Sequence, residues 1–495
     1  MKVLSWILGL IITLLTIIYV LAFTPIGNSI LAPILENKIN EQGKLNSKLA
    51  TFTLTMDEFE ILFELDDSNS IYSKGTYSLF SKSVDLNYDI KLGKLENLQE
   101  LLKAQVKGAF NTNGTVKGNL ELIKIDGSSD LAKSDTIYNV ELTEFNPTSI
   151  IAKVKNANLA LLLEMVGQKA YANAGLNLDV NLKNIKPHQL DGDLKLTTVN
   201  GKINSKIVNK DFNLTMPKSK FSLNLDTKLN NDLVNSKLDL KSSIANFHIK
   251  KAILNTNDNS IVSDYKIYIS NLNNLYFVTK QKMRGSFSAN GELKKGKDLD
   301  LSVHSKIADG KIDAKLHNDD LHADIKSVQT LKVLHILYYP EVFKSSLNAK
   351  LDYNLVKQKG RFNGNLLDGK FTQNQMLNLL RDVAKINLYK ENFKGDVSAD
   401  INKENILASL NFKSNKSSIT TKNSKINSKT KAVDSKIDII ANKNPLTVKI
   451  TGTTDKPKID LDASALIKSQ VKGEINKQID KKLKGEVGDL LKSLF

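Results

Sequence analysis

Histidine and aspartate are the residues of this chain whose types and spacing could do chemistry. His317 and His322 flank a predicted turn that also carries Asp319, Asp320 and Asp324. Imidazole and carboxylate groups together could hold a divalent metal ion, but they are also typical of a solvated hairpin tip, which the pattern favours. The remaining histidines are scattered along the chain: His188, His248, His304 and His335. We therefore predict no metal site.

Motifs that support catalysis or bind nucleotides are absent from the sequence. It contains no G-x-S-x-G, P-loop, G-x-G-x-x-G or H-E-x-x-H pattern. It also has no cysteine, which excludes disulfides, thiolate chemistry and cysteine-ligated zinc. Nucleic-acid binding would use basic patches with interleaved aromatic residues, whereas the lysines here alternate with acids. We predict no catalytic residue, no cofactor and no nucleic-acid partner, and hence a protein that is not an enzyme.

Apolar and polar residues alternate with a period of two through several hundred residues, which predicts β-strands. The segments "LNLDVNL" (176–182) and "FSLNLDTKL" (221–229) show the pattern most clearly. The segment "GKIDAKLHNDDLHADI" (310–325) predicts a whole hairpin that turns between His317 and Asp320. Strands with one apolar and one polar face are typical of a half-buried antiparallel sheet.

Three short segments share an Asn-Gly or Asp-Gly pair: "VNGKI" (199–203), "ADGKI" (308–312) and "LDGKF" (367–371). These pairs favour type I′ hairpin turns, because both central residues of such a turn need positive φ. The segments follow no strict period, so they predict tight turns in a long meander rather than a repeat array.

Three helices are predicted to interrupt the strands. The first lies around residues 159–165, and the second covers Ser327 to Phe343 and ends near Pro340. The third has a capping box formed by Thr372 and Gln375. Its predicted buried stripe consists of Met376, Leu379, Leu380 and Val383.

The N-terminal segment predicts a membrane anchor over residues 1–24. Val3 to Phe23 carries no charge and is long enough to cross a bilayer as a helix. Lys2 precedes this run and no lysine follows until Lys38. The positive-inside rule therefore predicts that the chain after Phe23 is exported. The alternative is a signal peptide cleaved near Ala22, but the apolar run is longer than a usual signal core.

Two further helices are predicted at the ends of the β region. Residues 25–45 form a juxtamembrane amphipathic helix that ends at Gly43. Residues 463–495 form a C-terminal amphipathic helix, whose apolar residues come every fourth position from Ile467. That helix either caps the edge of the sheet, which we favour, or forms a mobile, membrane-touching tail. The apolar side of the first helix is predicted to carry Ile26, Ile30, Ile34 and Leu35.

The formal net charge of +17 is large for a chain of 495 residues. It has two interpretations that the sequence leaves open. The lysine- and asparagine-rich composition could reflect an AT-rich genome. It could equally reflect attraction to anionic lipid headgroups, which draw in nearby basic residues.

A sheet with a continuous apolar face cannot leave that face exposed to water. The face must be filled by the protein's own side chains or must bind something apolar, and both interpretations stay open. In the second case the face is a lipid groove. The groove residues are then predicted to be Leu178, Val180, Leu223, Leu225, Ile312, Ala314, Leu316, Leu321, Ala323, Ile325, Ile406, Ala408, Leu410, Val448, Ile450, Ile459 and Leu461.

The C-terminal third resembles the AsmA family, within the wider AsmA/TamB-like superfamily. The matching segments are "LLDGKFTQNQMLNLLRD", "FKGDVSADINKENILASLNFKSN", "SKIDIIANKNPLTVKITGTTDKPKIDLD" and the closing helix. Gly452 and Thr453 fall on the Gly-Thr turn of the family, and Lys456 and Pro457 fall on its Lys/Asn-Pro step. The predicted anchor and the short helix after it also match.

The resemblance implies a single-pass protein of the inner membrane of a Gram-negative cell, with the bulk of the chain in the periplasm. It implies a mainly β fold: a transmembrane helix, an elongated, curved antiparallel groove with a few helices, and a C-terminal amphipathic helix. Residues 46–326 would form the N-terminal β-rich region and residues 327–462 the AsmA-like region.

The resemblance also implies a role in outer-membrane lipid homeostasis or in transport between the envelope membranes. The expected partners are phospholipid acyl chains, the inner membrane and envelope assembly proteins. The alternative function is a scaffold or assembly factor for outer-membrane proteins with a self-filled core.

Overall fold

The protein is mainly β and divides into two compact units. The first unit comprises Met1–Ser243 and Lys250–Asn257, and the second comprises Ile244–Ile249 and Asp258–Phe495. The predicted boundary between residues 326 and 327 lies inside the second unit, within a strand. The computed structural model describes residues 13, 22–43, 47–186, 188–339, 341–373, 377–378, 381–382, 386–441, 444–453 and 456–462.

In the first unit each strand pairs antiparallel with the strand that follows it in the chain, from β1 to β12. The next strand, β13 (Asn246–Asn255), is divided between the two units. The twelve strands are β1 Lys48–Leu54, β2 Glu58–Asp66, β3 Asn69–Ser78, β4 Ser83–Leu92, β5 Phe110–Asn119, β6 Leu122–Ser129, β7 Asp135–Thr143, β8 Asn146–Asn158, β9 Ala172–Asn184, β10 Asp191–Ile203, β11 Lys220–Asn230 and β12 Leu233–Ser242.

The second unit repeats this arrangement from β14 to β26. The predicted open antiparallel meander is therefore confirmed within each unit. The strands of the second unit are β14 Ser260–Ile269, β15 Phe287–Lys295, β16 Leu299–Ile307, β17 Gly310–His317, β18 Asp320–Gln329, β19 Phe343–Asn354, β20 Lys359–Phe371, β21 Phe393–Asn402, β22 Asn405–Lys413, β23 Ser417–Asn427, β24 Ala432–Ala441, β25 Asn444–Thr453 and β26 Lys456–Asp462.

The helices after β1 whose bounds the structure describes each connect an even-numbered strand to the odd-numbered strand that follows it. Because consecutive strands are antiparallel, the helices within a unit all lie at the same end of its strands. We call this the helical end and the opposite end the hairpin end. The helices are α1 Pro25–Gly43, α2 Gln99–Leu102, α3 Leu159–Met165, α4 Ser205–Phe212, α5 Tyr276–Thr279 and α6 Thr330–Ile336, and the 3-10 helices are η1 Leu95–Leu98, η2 Leu131–Lys133, η3 Leu272–Leu275 and η4 Leu388–Lys390.

The hairpin predicted over residues 310–325 is confirmed, and β25 and β26 form another. In the β17–β18 hairpin His317 lies opposite Asp320, so residues 318–319 form the predicted turn. In the β25–β26 hairpin Gly452 lies opposite Pro457, so these two residues flank the turn as expected.

The prediction of hairpin turns at the Asn-Gly and Asp-Gly pairs is wrong at two of three places. Asn200 and Asp368 have φ of 56° and 53°, but they lie inside β10 and β20, where the strand register shifts. The third segment does turn, at residues 308–309, one position before the Asp-Gly pair. Some β-bulges also place a residue at positive φ, so the local signal does not separate them from a turn. At Gly369 the missing side chain has a packing role, because a Cβ there would lie 2.5 Å from Cζ of Phe343.

The first predicted helix is confirmed as α3, with Leu159 and Met165 as its ends. The side chain of Asn158 caps it by accepting hydrogen bonds from the backbone N–H groups of residues 160 and 161. The second is shorter than predicted, because Ser327 belongs to β18 and only residues 330–336 are helical. Pro340, its predicted stop, lies outside the described residues.

Several predicted segments lie outside the described residues. They are the anchor apart from residues 13 and 22–24, the stripe of the third helix, and the C-terminal helix over residues 463–495. Within the described part of the chain, no helix is both long enough and apolar enough to cross a membrane.

Helix α1 covers one edge of β1 with polar side chains. Glu36 Oε2 accepts a hydrogen bond from the backbone N–H of Leu49 at 2.9 Å. The Asn40 side chain accepts from the Ser47 N–H at 2.9 Å and donates to its carbonyl at 2.8 Å. These bonds satisfy backbone groups that β1, paired with β2 on its other side, would leave open. The predicted helix, ending at Gly43, is confirmed, but its predicted apolar residues are exposed: Ile26, Ile30, Ile34 and Leu35.

The largest packed core lies at the helical end of the second unit. Phe393 is 1 % exposed there, and its ring contacts that of Phe371 edge to face, with centroids 5.3 Å apart. Phe343 stacks on Phe412 at 5.1 Å. The buried members of this cluster, which we call the C-terminal core, are Leu366, Leu377, Ile386, Leu388, Phe393, Phe412, Ile419, Ile439, Ala441, Leu446 and Val448.

Candidate functional site

Rows of directly opposed apolar side chains cross the strands of the first unit. We call the side of the sheet that carries them the apolar face. The predicted groove residues Leu178 and Leu225 belong to the same row, Val180 belongs to the next one, and Leu223 lies opposite Leu240. The row that contains Leu178 runs through Val154, Leu178, Leu196, Leu225 and Leu238.

The second unit has an apolar face of the same kind. Ala314 lies opposite Ala323, and the same row passes through Leu351 and Phe362 to Ala408 by way of Ala399. The registers therefore place the predicted groove residues of β17, β18 and β22 on one face. In the flanking rows Ile312 lies opposite Ile325, and Leu316 lies opposite Leu321.

The side chains on these faces are partly buried rather than buried. This holds for the predicted groove residues of β9, β11, β17, β18 and β22. A side chain in a packed core loses nearly all contact with water, as Phe393 does in the C-terminal core. Strand neighbours shield the apolar faces from the sides, and helix α3 covers part of the face of the first unit. Residues of α3 pack, together with Val154, Leu178 and Leu196, against a small buried cluster of Ala132, Ala157 and Leu176. The predicted groove residues of β11, β17 and β18, by contrast, belong to no buried cluster of the described residues.

The predicted groove residues near the C-terminus have different surroundings. Val448 is 7 % exposed and belongs to the C-terminal core, against which Leu410 and Ile450 pack. Ile459 and Leu461 lie opposite Ile450 and Val448 in the register. At this end the protein's own side chains fill the face.

Two tyrosines cover glycines on the apolar face of the first unit. Tyr88 and Tyr138 lie in one cross-strand row with Gly114 and Gly127 between them, and their hydroxyl oxygens are 2.6 Å apart. A Cβ at Gly127 would lie 2.4 Å from the Tyr88 hydroxyl, so the rings fit only over glycine. Burial, together with the hydrogen bond to Tyr138, raises the pKa of Tyr88. The two tyrosine rings thus keep the apolar face continuous at Gly114 and Gly127, which have no side chains.

The opposite face of the second unit is charged, and its histidines pair with aspartates across the strands. His317 Nδ1 lies 2.8 Å from Asp300, and His304 Nδ1 lies 2.7 Å from Asp313. His322 pairs with Asp352, so the two histidines proposed as metal ligands have separate partners. Among the described residues, no group of three His, Asp or Glu side chains is placed to hold a metal ion.

We expect His317 to titrate above its ordinary value of 6.5. The hydrogen bond to the Asp300 carboxylate, and the charge of that carboxylate, raise its pKa. A raised histidine pKa stabilises the fold at pH values below 6.5, and this contribution is lost as the pH rises through the raised pKa. Because both groups are exposed, the contribution to stability is small. Ring-proton NMR should show the midpoint falling towards 6.5 in Asp300→Asn but not in Asp352→Asn, and an unchanged midpoint in Asp300→Asn would contradict the pairing.

Sequence reasoning missed several members of the apolar rows. Val154, Leu196 and Leu238 flank predicted residues, as do Leu351 and Phe362 in the second unit. Each lies in a segment with the same alternation of apolar and polar residues, so the period-two signal could have found them. Which residue lies beside which depends on the strand register, which the sequence does not show directly.

The fold and the two faces define a mainly β protein built as an open antiparallel meander, with one apolar and one charged side. No family model matches the chain, and no curated protein or solved structure matches it either. The resemblance to the AsmA family therefore rests on the sequence segments alone.

Proposed function

We propose that this chain binds phospholipid acyl chains along its apolar faces. We further propose that it does so as an AsmA-like protein, anchored in the inner membrane with its bulk in the periplasm. Its role would be in outer-membrane lipid homeostasis or in transport between the envelope membranes. In this proposal the chain is a binding protein rather than an enzyme and uses no cofactor.

The observation behind the proposal is the partial burial of the apolar rows. The row through Leu178 and Leu225 in the first unit keeps partial contact with water, as does the row through Ala314 and Ala323 in the second. Contiguous apolar surface of this kind is unfavourable in water unless something apolar covers it. An acyl chain fits because it is itself narrow and apolar and needs no polar partner. We also propose that the sheet curves along these rows and so forms an elongated groove.

A second function is favoured by a separate observation. The C-terminal core is dry and self-filled, with Phe393 and Leu388 almost fully buried. Such a core needs no lipid, so this end of the second unit suits a scaffold or assembly factor for outer-membrane proteins. The two functions differ in whether lipid occupies the apolar face.

A photoreactive residue placed at Val180 should capture phospholipid in the membrane-embedded full-length chain. Val180 faces the apolar side, whereas its neighbour Asp179 is exposed and lies on the charged side. We therefore expect mass spectrometry to find lipid adducts at position 180 at least about tenfold more often than at position 179, since burying a chain of methylene groups strongly favours the apolar side.

The variant at position 179 controls for lipid captured from the surrounding membrane. Equal labelling at the two positions, or protein adducts alone at position 180, would contradict acyl-chain binding. Protein adducts alone would instead support the scaffold.

A further inference from the structure

Three lysines lie side by side at the helical end of the second unit, on its charged face. Lys311 of β17 lies directly opposite Lys306 of β16 on one side and Lys326 of β18 on the other. All three side chains are exposed. Like charges placed directly opposite each other destabilise a sheet, so this arrangement works against the stability of the fold.

Four further lysines lie near the same end of the next four strands, on the same face. Lys344 of β19 lies opposite Lys370 of β20, and Lys394 of β21 lies opposite Lys413 of β22. These four residues are also exposed and near the helical end of their strands. Together with the first three they place one lysine near the helical end of each of seven consecutive strands, and we call this band the lysine rim. Its three groups are offset along the strands, because the register shifts between β18 and β19 and between β20 and β21. Because neighbouring strands lie about 4.8 Å apart, six spacings give the rim a length of about 29 Å.

The rim lysines differ from other charged groups of the same face, because no described carboxylate lies within ion-pair distance of them. Towards the hairpin end Asp300 pairs with His317, and Asp400 pairs with Arg361 at 2.8 Å. At the helical end itself, Asp309 forms an ion pair with Lys332. The rim lysines thus form no ion pair with a described carboxylate. One carboxylate near them on this face is that of Asp313, whose pKa is lowered by its hydrogen bond to His304 and also by the charges of Lys326 and Lys311.

We propose that the lysine rim docks the second unit on an anionic phospholipid surface. Clusters of about four to eight basic residues are typical of sites that bind anionic headgroups. A band of exposed lysines on one face of neighbouring strands can present several flexible ammonium groups to the same anionic surface. Single-stranded nucleic acid would call for aromatic side chains among the lysines, and the seven rim positions carry none. This docking does not depend on acyl-chain binding.

The test is vesicle tethering by the full-length chain embedded in a phosphatidylcholine nanodisc. The probe vesicles consist of phosphatidylcholine alone or of phosphatidylcholine with phosphatidylglycerol. The triple variant Lys306→Glu, Lys311→Glu, Lys326→Glu should lose tethering to the anionic vesicles by at least about tenfold, because each basic residue near such a surface adds to the attraction. Tethering by the unaltered chain should weaken as salt is added.

The matched control is Lys315→Glu, Lys350→Glu, Lys359→Glu. It changes the net charge equally, on the same face of the same unit, at exposed positions outside the rim, and it should keep most of the tethering. Equal losses in both triple variants would overturn the proposal, because net charge alone would then explain the binding. No tethering by the unaltered chain at low salt would also overturn it and would leave an acidic protein surface as the partner of the rim.

A single variant separates docking from folding. In Lys311→Glu the new carboxylate lies between Lys306 and Lys326 and replaces two repulsive pairs with two attractive ones. The melting temperature of the second unit should rise while tethering falls. A fall in both would indicate damage to the fold, and tethering unchanged would exclude Lys311 from the docking surface.

Discussion

Replacing Ala323 with aspartate is expected to expel lipid from the apolar face of the second unit without unfolding it. Ala323 is partly buried, with Ala314 opposite it on one side and Leu351 on the other. An ionised carboxylate among acyl chains costs about 2.5 kcal/mol or more, which is over tenfold in occupancy. When the face is empty, water can solvate the same charge, so folding should survive. A photoreactive residue at position 351 should therefore capture at least about tenfold less phospholipid.

The control for this change is Asn363→Asp, which adds the same charge at an exposed position of the opposite face. It should leave lipid capture unchanged. Limited proteolysis of the Ala323→Asp variant distinguishes the two functions. If the face is a closed core, the unpaired buried charge costs several kcal/mol, about 3 or more, and the second unit becomes protease-sensitive. A variant that stays resistant and keeps all its lipid would remove this hairpin from the binding surface.

Replacing Phe393 with alanine is expected to destabilise the second unit by about 3–5 kcal/mol. The ring is 1 % exposed and packs against Phe371 inside the C-terminal core. Its removal loses apolar burial and leaves a cavity that the surrounding strands can only partly fill. Pulse proteolysis in urea measures the loss as a lower midpoint of unfolding.

The matched variant is Phe362→Ala, on the apolar face of the neighbouring strand β20. Phe362 is only partly buried, so its truncation leaves a dent open to water rather than a closed cavity. We expect a loss of less than about 2 kcal/mol. Equal losses at the two positions would mean that the apolar face is packed as tightly as the C-terminal core, which would contradict an acyl-chain site.

The regular features of the fold could be predicted from the sequence, because they depend on local patterns. Alternation in segments 176–182 and 221–229 identified β9 and β11, and the β17–β18 hairpin was read down to its turn. The bulges at Asn200 and Asp368 were missed because a positive φ serves a turn and a bulge equally well. Helix α4 is amphipathic but was missed because its eight residues are fewer than the roughly 11–18 over which a helical period is recognised.

Features that depend on register could not be predicted in the same way. The contact between Phe343 and Phe412 joins residues that lie far apart in the chain. The lysine rim likewise collects one lysine from each of seven strands, and no short segment shows it. The sequence predicted Val448 as a groove residue in the same way as it predicted residues that lie on the open apolar face. The burial of Val448 comes from its place in the C-terminal core, whose members, such as Leu388, lie far from it in sequence.

The pairing of each strand with its immediate successor has a consequence for how the chain folds. Nearly every backbone contact of the sheet joins residues close in sequence, so contact order is low for a β protein and little loop entropy opposes each new pair. A chain emerging from its N-terminus can add strands one at a time, each templated by the last. Unfolding can proceed in the same stepwise way, as in quasi-one-dimensional proteins whose stability is a sum of nearest-neighbour terms. A destabilising substitution in one strand then lowers the stability of its two neighbouring strands most, and the effect decreases with each further strand.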